Sequence, residues 1–120
     1  MAKDLEVTML FDIYGEMLTE KQQSFITYYY DDDLSLAEIA ENEGITRQGV
    51  RDAIKRAENQ LYDFEAHLGL KKRFEETRNG LSEISELCEV IKEINLNTVL
   101  SREINDAVTR INTIASMLSE

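Results

Sequence analysis

The sequence contains no proline, one cysteine and one histidine, and each scarcity excludes a class of structure or site. Without proline, no helix interior is forced to break. The single cysteine, Cys88, excludes an internal disulfide and suits a reducing cytosol, so we expect a cytoplasmic protein. A zinc site needs about four suitably spaced ligands, which a chain with one cysteine and one histidine does not supply alone. We therefore expect no metal and no cofactor.

Catalytic motifs and targeting segments are also missing. His67 and Cys88 have no partner at motif spacing, and the five glycines are isolated rather than gathered in a phosphate-binding loop. We predict that the protein is not an enzyme, with His67 at the surface or in packing and Cys88 in the core. No run approaches the ~18 apolar residues of a membrane span, and no basic segment followed by an apolar one opens the chain. Neither membrane insertion nor export is predicted.

Charge is abundant and unevenly distributed. The formal net charge is −11, with residues 1–45 carrying 2 basic and 11 acidic side chains and residues 74–120 carrying 4 and 9. Only residues 46–73 are positive, with 7 basic and 4 acidic side chains. Because phosphate neutralisation dominates nucleic-acid affinity, we expect nucleic-acid binding to be weak or to need a partner.

The segment Ser35–Ala57 predicts two short helices joined by a tight turn, the spacing of a helix-turn-helix. The inward-facing residues are Leu36, Ile39 and Ala40 in the first helix and Val50, Ala53 and Ile54 in the second. Gly44 lies where the first helix must end with a positive φ, and the small Ala40 allows the second helix to cross close by. Ser35 with Glu38 predicts a capping box, and Thr46 predicts the N-cap of the second helix. Thr19 with Gln22 predicts a second capping box, at the start of the helix before the motif.

The second helix offers basic and amide side chains to solvent, a combination suited to base edges and phosphates. Arginine and glutamine pair bidentately with guanine and adenine in the major groove. The alternative is a solvated helix face without a ligand. The predicted nucleic-acid-binding residues are Thr46, Arg47, Gln48, Arg51, Asp52, Lys55 and Arg56.

The stretch from Leu18 to Ala57, with LTEKQ, YYYDDDLSLAEIAE and TRQGVRDAIKR, resembles the YlxM family of small bacterial proteins. The resemblance covers about the first seventy residues, and Thr46 and Gly49 replace the usual serine and alanine. The family's helix-turn-helix is similar to region four of bacterial sigma factors. Its genes neighbour those of the signal recognition particle pathway, so the resemblance implies a DNA-binding regulator of that pathway. The alternative is an accessory factor that binds the particle's RNA or its GTPase.

The remaining periodicity predicts an all-α protein with two domains. Residues 1–74 form the helix-turn-helix domain, of the sigma region-four or winged-helix-like type, and residues 75–120 a C-terminal helical hairpin for packing or dimerisation. The predicted helices outside the motif span residues 4–17, 20–30, 81–94 and 98–118, and the second motif helix extends from residue 47 to 68. The apolar stripe of the first helix is formed by Leu5, Met9, Ile13 and Met17, with Leu10 beside them. The stripes of the two C-terminal helices are formed by Leu81, Ile84, Leu87, Cys88, Ile91 and Ile94, and by Leu100, Ile104, Ala107, Ile111, Ile114 and Leu118. Asn79 and Gly80 predict an interruption. The wide apolar stripe of the last helix must be covered, and a homodimer is our expectation.

Overall fold

The computed structural model describes residues 2–120, and within this range the protein is all-α, which confirms the predicted fold class. The helices are α1 (Leu5–Tyr14), α2 (Glu20–Ile26), α3 (Leu36–Glu43), α4 (Arg47–Leu68), α5 (Leu70–Asn97) and α6 (Arg102–Leu118). A 3₁₀ turn, Gly15–Met17, follows α1, and a π-helical turn, Thr27–Asp31, follows α2. The chain divides into two compact units, Met1–Lys71 (unit 1) and Lys72–Glu120 (unit 2).

The helix starts predicted in unit 1 are confirmed by their caps. Thr19 accepts a hydrogen bond from the backbone N–H of Gln22 at 3.2 Å, and the Gln22 side chain accepts one from the Thr19 N–H at 3.0 Å. Ser35 and Glu38 form the same reciprocal pair, with both distances 3.1 Å. Each box satisfies amide donors that the first turn of a helix leaves without partners.

The core of unit 1 forms where α1, α2 and α3 pack against α4. Its buried members are Val7, Leu10, Tyr14, Leu18, Phe25, Ile26, Tyr29, Ile39, Ala40, Val50, Ile54, Ala57 and Leu61. Of the tyrosine triplet, only Tyr29 is buried, while Tyr28 and Tyr30 are half-buried at the edge. Burial of this apolar set, at about 25 cal/mol per Å², is what holds α4 in place.

The apolar stripe predicted for the first helix is wrong for three of its four members. Leu5, Met9 and Met17 are 83%, 52% and 55% exposed, and only Ile13 packs against the core. The helix instead buries Val7, Leu10 and Tyr14, which repeat at three- and four-residue intervals. A tyrosine can be buried in a core when its hydroxyl has a hydrogen-bond partner. The stripe that contains Tyr14 is therefore buried only if the fold supplies such a partner.

Tyr14 finds its partners at the corner between α4 and α5. Its hydroxyl donates to Glu65 Oε1 at 2.7 Å and accepts from the Leu70 N–H at 3.0 Å, while the same Glu65 oxygen accepts from the Lys71 N–H at 3.0 Å. Gly69 ends α4 with φ +63°, a conformation that side chains disfavour. Burial raises the pKa of Tyr14, and the hydrogen bond to Glu65 raises this pKa further.

The interruption predicted at Asn79 and Gly80 is also wrong, because α5 runs unbroken from Leu70 to Asn97. A helical glycine costs only about 1 kcal/mol relative to alanine. A helix of 28 residues can absorb this cost.

Unit 2 is an antiparallel hairpin of α5 and α6. Near its turn the Asn95 side chain donates to the Ser101 carbonyl at 2.8 Å and accepts from the Ser101 N–H at 2.9 Å. Further along, the Asn112 side chain donates to Glu89 at 3.4 Å. The turn comes later than predicted, because α5 continues through Asn97 and α6 begins at Arg102 rather than near residue 98.

The seam of the hairpin is narrow and contains few large apolar residues. Its buried members are Cys88, Asn95, Val108 and Ala115. Cys88 is therefore in the core as predicted, and His67 is exposed on α4. Among residues 2–120, no helix combines the length and the hydropathy that a membrane crossing requires.

Candidate nucleic-acid interface

The turn between α3 and α4 has the geometry that the sequence predicts. Gly44 ends α3 with φ +68°, and its N–H donates to the Ala40 carbonyl. The Ile45 N–H donates to the same carbonyl at 3.1 Å. Ala40 is buried, and α3 packs against α4. The two helices therefore form a helix-turn-helix rather than one continuous rod.

The first turn of α4 is fixed by Thr46. Its hydroxyl accepts a hydrogen bond from the Gly49 N–H at 3.0 Å, which makes Thr46 the N-cap. A methyl group on Gly49 would lie 3.2 Å from the Thr46 hydroxyl oxygen, so glycine leaves this cap unstrained. In helix-turn-helix proteins the N-terminal residues of the second helix contact base edges, so this turn is the critical one for recognition.

The fold leaves every predicted binding residue exposed. Val50, Ile54 and Ala57 turn inward to the core, and the opposite face of α4 lies in solvent. The exposed set comprises Thr46, Arg47, Gln48, Arg51, Asp52, Lys55 and Arg56. Their spacing places Arg47, Arg51 and Lys55 at i, i+4 and i+8, one stripe along the helix.

The charges on this stripe are available for a ligand. Within the part of the chain that the structure describes, the side chains of Arg47, Arg51 and Lys55 make no ion pair and no hydrogen bond. Beside them, Gln48 donates to Asp52 Oδ1 at 2.9 Å. The Gln48 amide is thus held by a carboxylate, which would have to release it before Gln48 could contact a base.

Arg56 lies away from the stripe, in a setting that sequence reasoning missed. It lines a recess of about 340 Å³ together with Lys21 and Gln22 of α2 and the apolar side chains Phe25 and Ile45. Lys21 was not among the predicted residues, because its approach to α4 depends on how α2 packs. The one sequence signal was its position in the first turn of a capped helix beside the motif.

Acidic side chains lie in the segment before α3 and on α3 itself. Asp31, Asp32 and Asp33 are exposed between α2 and α3. Asp33 pairs with Lys3, and this contact lowers the pKa of the Asp33 carboxyl. Glu38 and Glu41 are exposed on α3. The positive face on α4 is therefore small and is bordered by negative charge that would repel phosphates.

Comparison with known proteins places this geometry in a family. Residues 1–110 match the family model UPF0122, described as "Putative helix-turn-helix protein, YlxM / p13 like". The chain belongs to this family. The resemblance stated from the motifs is thereby confirmed, and the match extends well beyond the helix-turn-helix into the hairpin.

Individual relatives support the same assignment. The chain is similar to a UPF0122 protein of Desulforamulus reducens, at 48% identity over 82 residues, or 68% of this chain and 70% of the relative. A relative from Thermoanaerobacter sp. strain X514 is 48% identical over 89 residues, covering 74% and 76% of the two chains. One from Clostridium perfringens strain 13 is 38% identical over 111 residues, covering 92% and 97%.

Proposed function

We propose that this UPF0122 protein is a sequence-specific DNA-binding regulator that reads the major groove with the N-terminal half of α4. The observation that carries the proposal is the exposed stripe of Arg47, Arg51 and Lys55, whose charges no described residue neutralises. Arg51 is the best candidate for a bidentate base contact, and Thr46, Arg47 and Lys55 are suited to phosphates. The role is binding rather than catalysis, in the cytoplasm, with the signal recognition particle pathway as the regulated target.

Arg56 has a separate part in this proposal. It lines the recess with Lys21 rather than the stripe, so both cations are assigned to the phosphate backbone beside the groove. Asp52 opposes binding by its charge but holds Gln48. Removing the charge with Asp52→Asn is expected to tighten binding to all sequences, because fewer phosphates are repelled.

The test begins with selection of bound fragments from genomic DNA, followed by titration of the enriched site. Arg51→Ala should weaken binding by about 1–3 kcal/mol and relax discrimination at one base pair, as expected for a lost bidentate contact. Lys55→Ala should weaken binding equally across sequences and reduce the salt slope by about 1.

Arg110→Ala is the matched control, since Arg110 is an exposed cation on α6, outside the motif. It should leave affinity and salt slope unchanged. The proposal is abandoned if no sequence is enriched and Arg51→Ala binds as the unaltered protein does.

A second candidate function is favoured by the overall charge of −11 and the acidic border of the motif. Here the protein is an accessory factor that binds the RNA or the GTPase of the signal recognition particle. Acidic faces would meet a basic protein domain, and the α4 stripe would contact RNA backbone without reading bases. Calorimetry at low salt with the particle's RNA, and separately with its GTPase, distinguishes the two candidate functions. If neither titration gives a heat of binding, the accessory-factor function is abandoned.

A further inference from the structure

Unit 2 exposes a continuous set of branched aliphatic side chains, which we name the aliphatic face. Its members, each at least 40% exposed, are Ile84, Leu87, Ile91 and Ile94 of α5 and Ile104, Ile111, Ile114 and Leu118 of α6. On α5 they recur at three- and four-residue intervals, and on α6 the exposed Ala107 divides the seven-residue step between Ile104 and Ile111 into three and four. Each set therefore has the spacing of one side of a helix. The sequence predicted these stripes, but the hairpin seam does not bury them.

The two stripes lie on the same side of the hairpin. Ile91 and Ile94 line one groove together with Ile104, so the α5 stripe meets the α6 stripe near the turn. A different groove, lined by Val90 with Glu89 and Glu93, marks another side of α5. Near the turn, this side of the hairpin is therefore aliphatic and its groove has no charged lining residue. At the other end, Leu118 lines a groove together with Arg78 and Glu120.

The hairpin on its own buries few apolar side chains. Its buried residues are Cys88, Asn95, Val108 and Ala115, and one of these four is an amide. The exposures of the aliphatic face imply roughly 700 Å² of accessible surface, close to the ~800 Å² that each partner contributes to a standard interface. Monomers rarely expose a patch of this size unless it binds something.

We propose that the aliphatic face is the contact surface for a second copy of this chain, with two hairpins forming a four-helix bundle. An aliphatic face whose neighbouring charges, Arg78 and Glu120, are one of each sign is complementary to itself under two-fold symmetry. The 3-4 spacing on both helices matches the packing of such bundles. The acidic residues would remain in solvent, where salt screens the repulsion between two net negative hairpins.

The chemistry of the face disfavours other classes of occupant. The grooves along the face hold one cation, Arg78, with Glu120 beside it, whereas a nucleic acid binds through neutralisation of many phosphates. An amphipathic element that lies on a membrane is rich in lysine and arginine on its polar side. Here the groove on another side of α5 is lined by Glu89 and Glu93 with a single lysine, Lys92. The inference concerns unit 2 alone and does not rest on DNA binding by α4.

Sedimentation equilibrium of the full chain over a wide concentration range tests the proposal. The unaltered protein should approach twice its monomer mass of 13.8 kDa. Ile91→Asp should return the mass to 13.8 kDa while circular dichroism still shows a helical unit 1, because a carboxylate would be buried in the contact. Val90→Asp is the matched control, an adjacent residue of similar exposure on another side, and should remain dimeric.

A second measurement does not depend on how any variant folds. In the unaltered protein, the thermal midpoint of unit 2 and the hydrogen-exchange protection of residues 84–94 and 104–118 should rise with protein concentration. A well-folded monomer at every concentration overturns the proposal. So does a dimer that Ile91→Asp leaves intact, or a monomer that instead floats with phospholipid vesicles, which would assign the face to a membrane.

Discussion

Unit 1 and unit 2 use their large apolar residues in opposite ways. The largest fully buried side chains described in the protein, among them Tyr14, Leu10, Ile39 and Ile54, all belong to unit 1. Unit 2 contains α5 from Lys72 onward and the 17 residues of α6, yet its isoleucines lie at the surface. Helix length and apolar content therefore do not make a core. A core requires apolar stripes that face one another, as those of α1, α2 and α3 face α4, whereas the largest aliphatic residues of the hairpin face solvent.

Truncating a core side chain of unit 1 should have the largest effect on stability, and the same change on the surface of unit 2 should have little. Ile54→Ala removes a fully buried side chain where α1, α2 and α3 surround α4, and we expect a loss of about 2–5 kcal/mol in the free energy of unfolding. Val90→Ala, on an exposed side of α5, should change it by less than about 0.5 kcal/mol. Urea titration followed by circular dichroism measures both. Equal effects would show that the two units are packed alike.

The corner between the helices should respond next. Tyr14→Phe leaves Glu65 and the Leu70 amide without their hydroxyl partner, at an expected cost of about 1–3 kcal/mol. Tyr28→Phe is the control, because the Tyr28 hydroxyl makes no hydrogen bond to the residues that the structure describes. Thermal unfolding of the two variants should differ clearly. Matched midpoints would mean that water replaces the hydroxyl at no cost.

Two glycines should give opposite and smaller effects. Gly69→Ala places a side chain at φ +63° and is expected to cost about 1–2 kcal/mol. Gly80→Ala lies within α5 with open space around it, and should stabilise the helix by about 0.5–1 kcal/mol. Denaturant midpoints of both variants test the signs. If Gly80→Ala lowers the stability instead, α5 is not regular at Asn79 and Gly80, and the predicted interruption there is correct.

Local signals in the sequence were sufficient for much of unit 1. The capping boxes at Thr19 and Ser35, the helix end at Gly44 and the N-cap at Thr46 each depend on residues within one turn, and all are confirmed. The exposure of the predicted binding residues follows from the inward face of α4, which was read from the same periodicity.

Most errors concern features that are determined by residues distant in the sequence. In α1, two stripes fit helical spacing, and the partners of Tyr14, more than fifty residues away, select the one that is buried. Lys21 approaches Arg56 through the packing of α2, which no local pattern encodes. At Asn79 and Gly80 a breaker signal was given too much weight against the long helix around it. The ligand of α4 stays a prediction, because the exposed charges of a helix do not identify the molecule that binds them.

The hydroxyl of Tyr14 ties the beginning of the chain to the end of α4. The Leu70 amide donates to the Tyr14 hydroxyl on α1, so fraying of α1 would remove this hydrogen bond. The α4 end at Gly69 would then loosen before the helix-turn-helix did. Proteolytic nicking near Gly69 would thus report on the integrity of the amino terminus. Tags or fusions placed ahead of Asp4 would need to preserve that tether if α4 is to keep its full length.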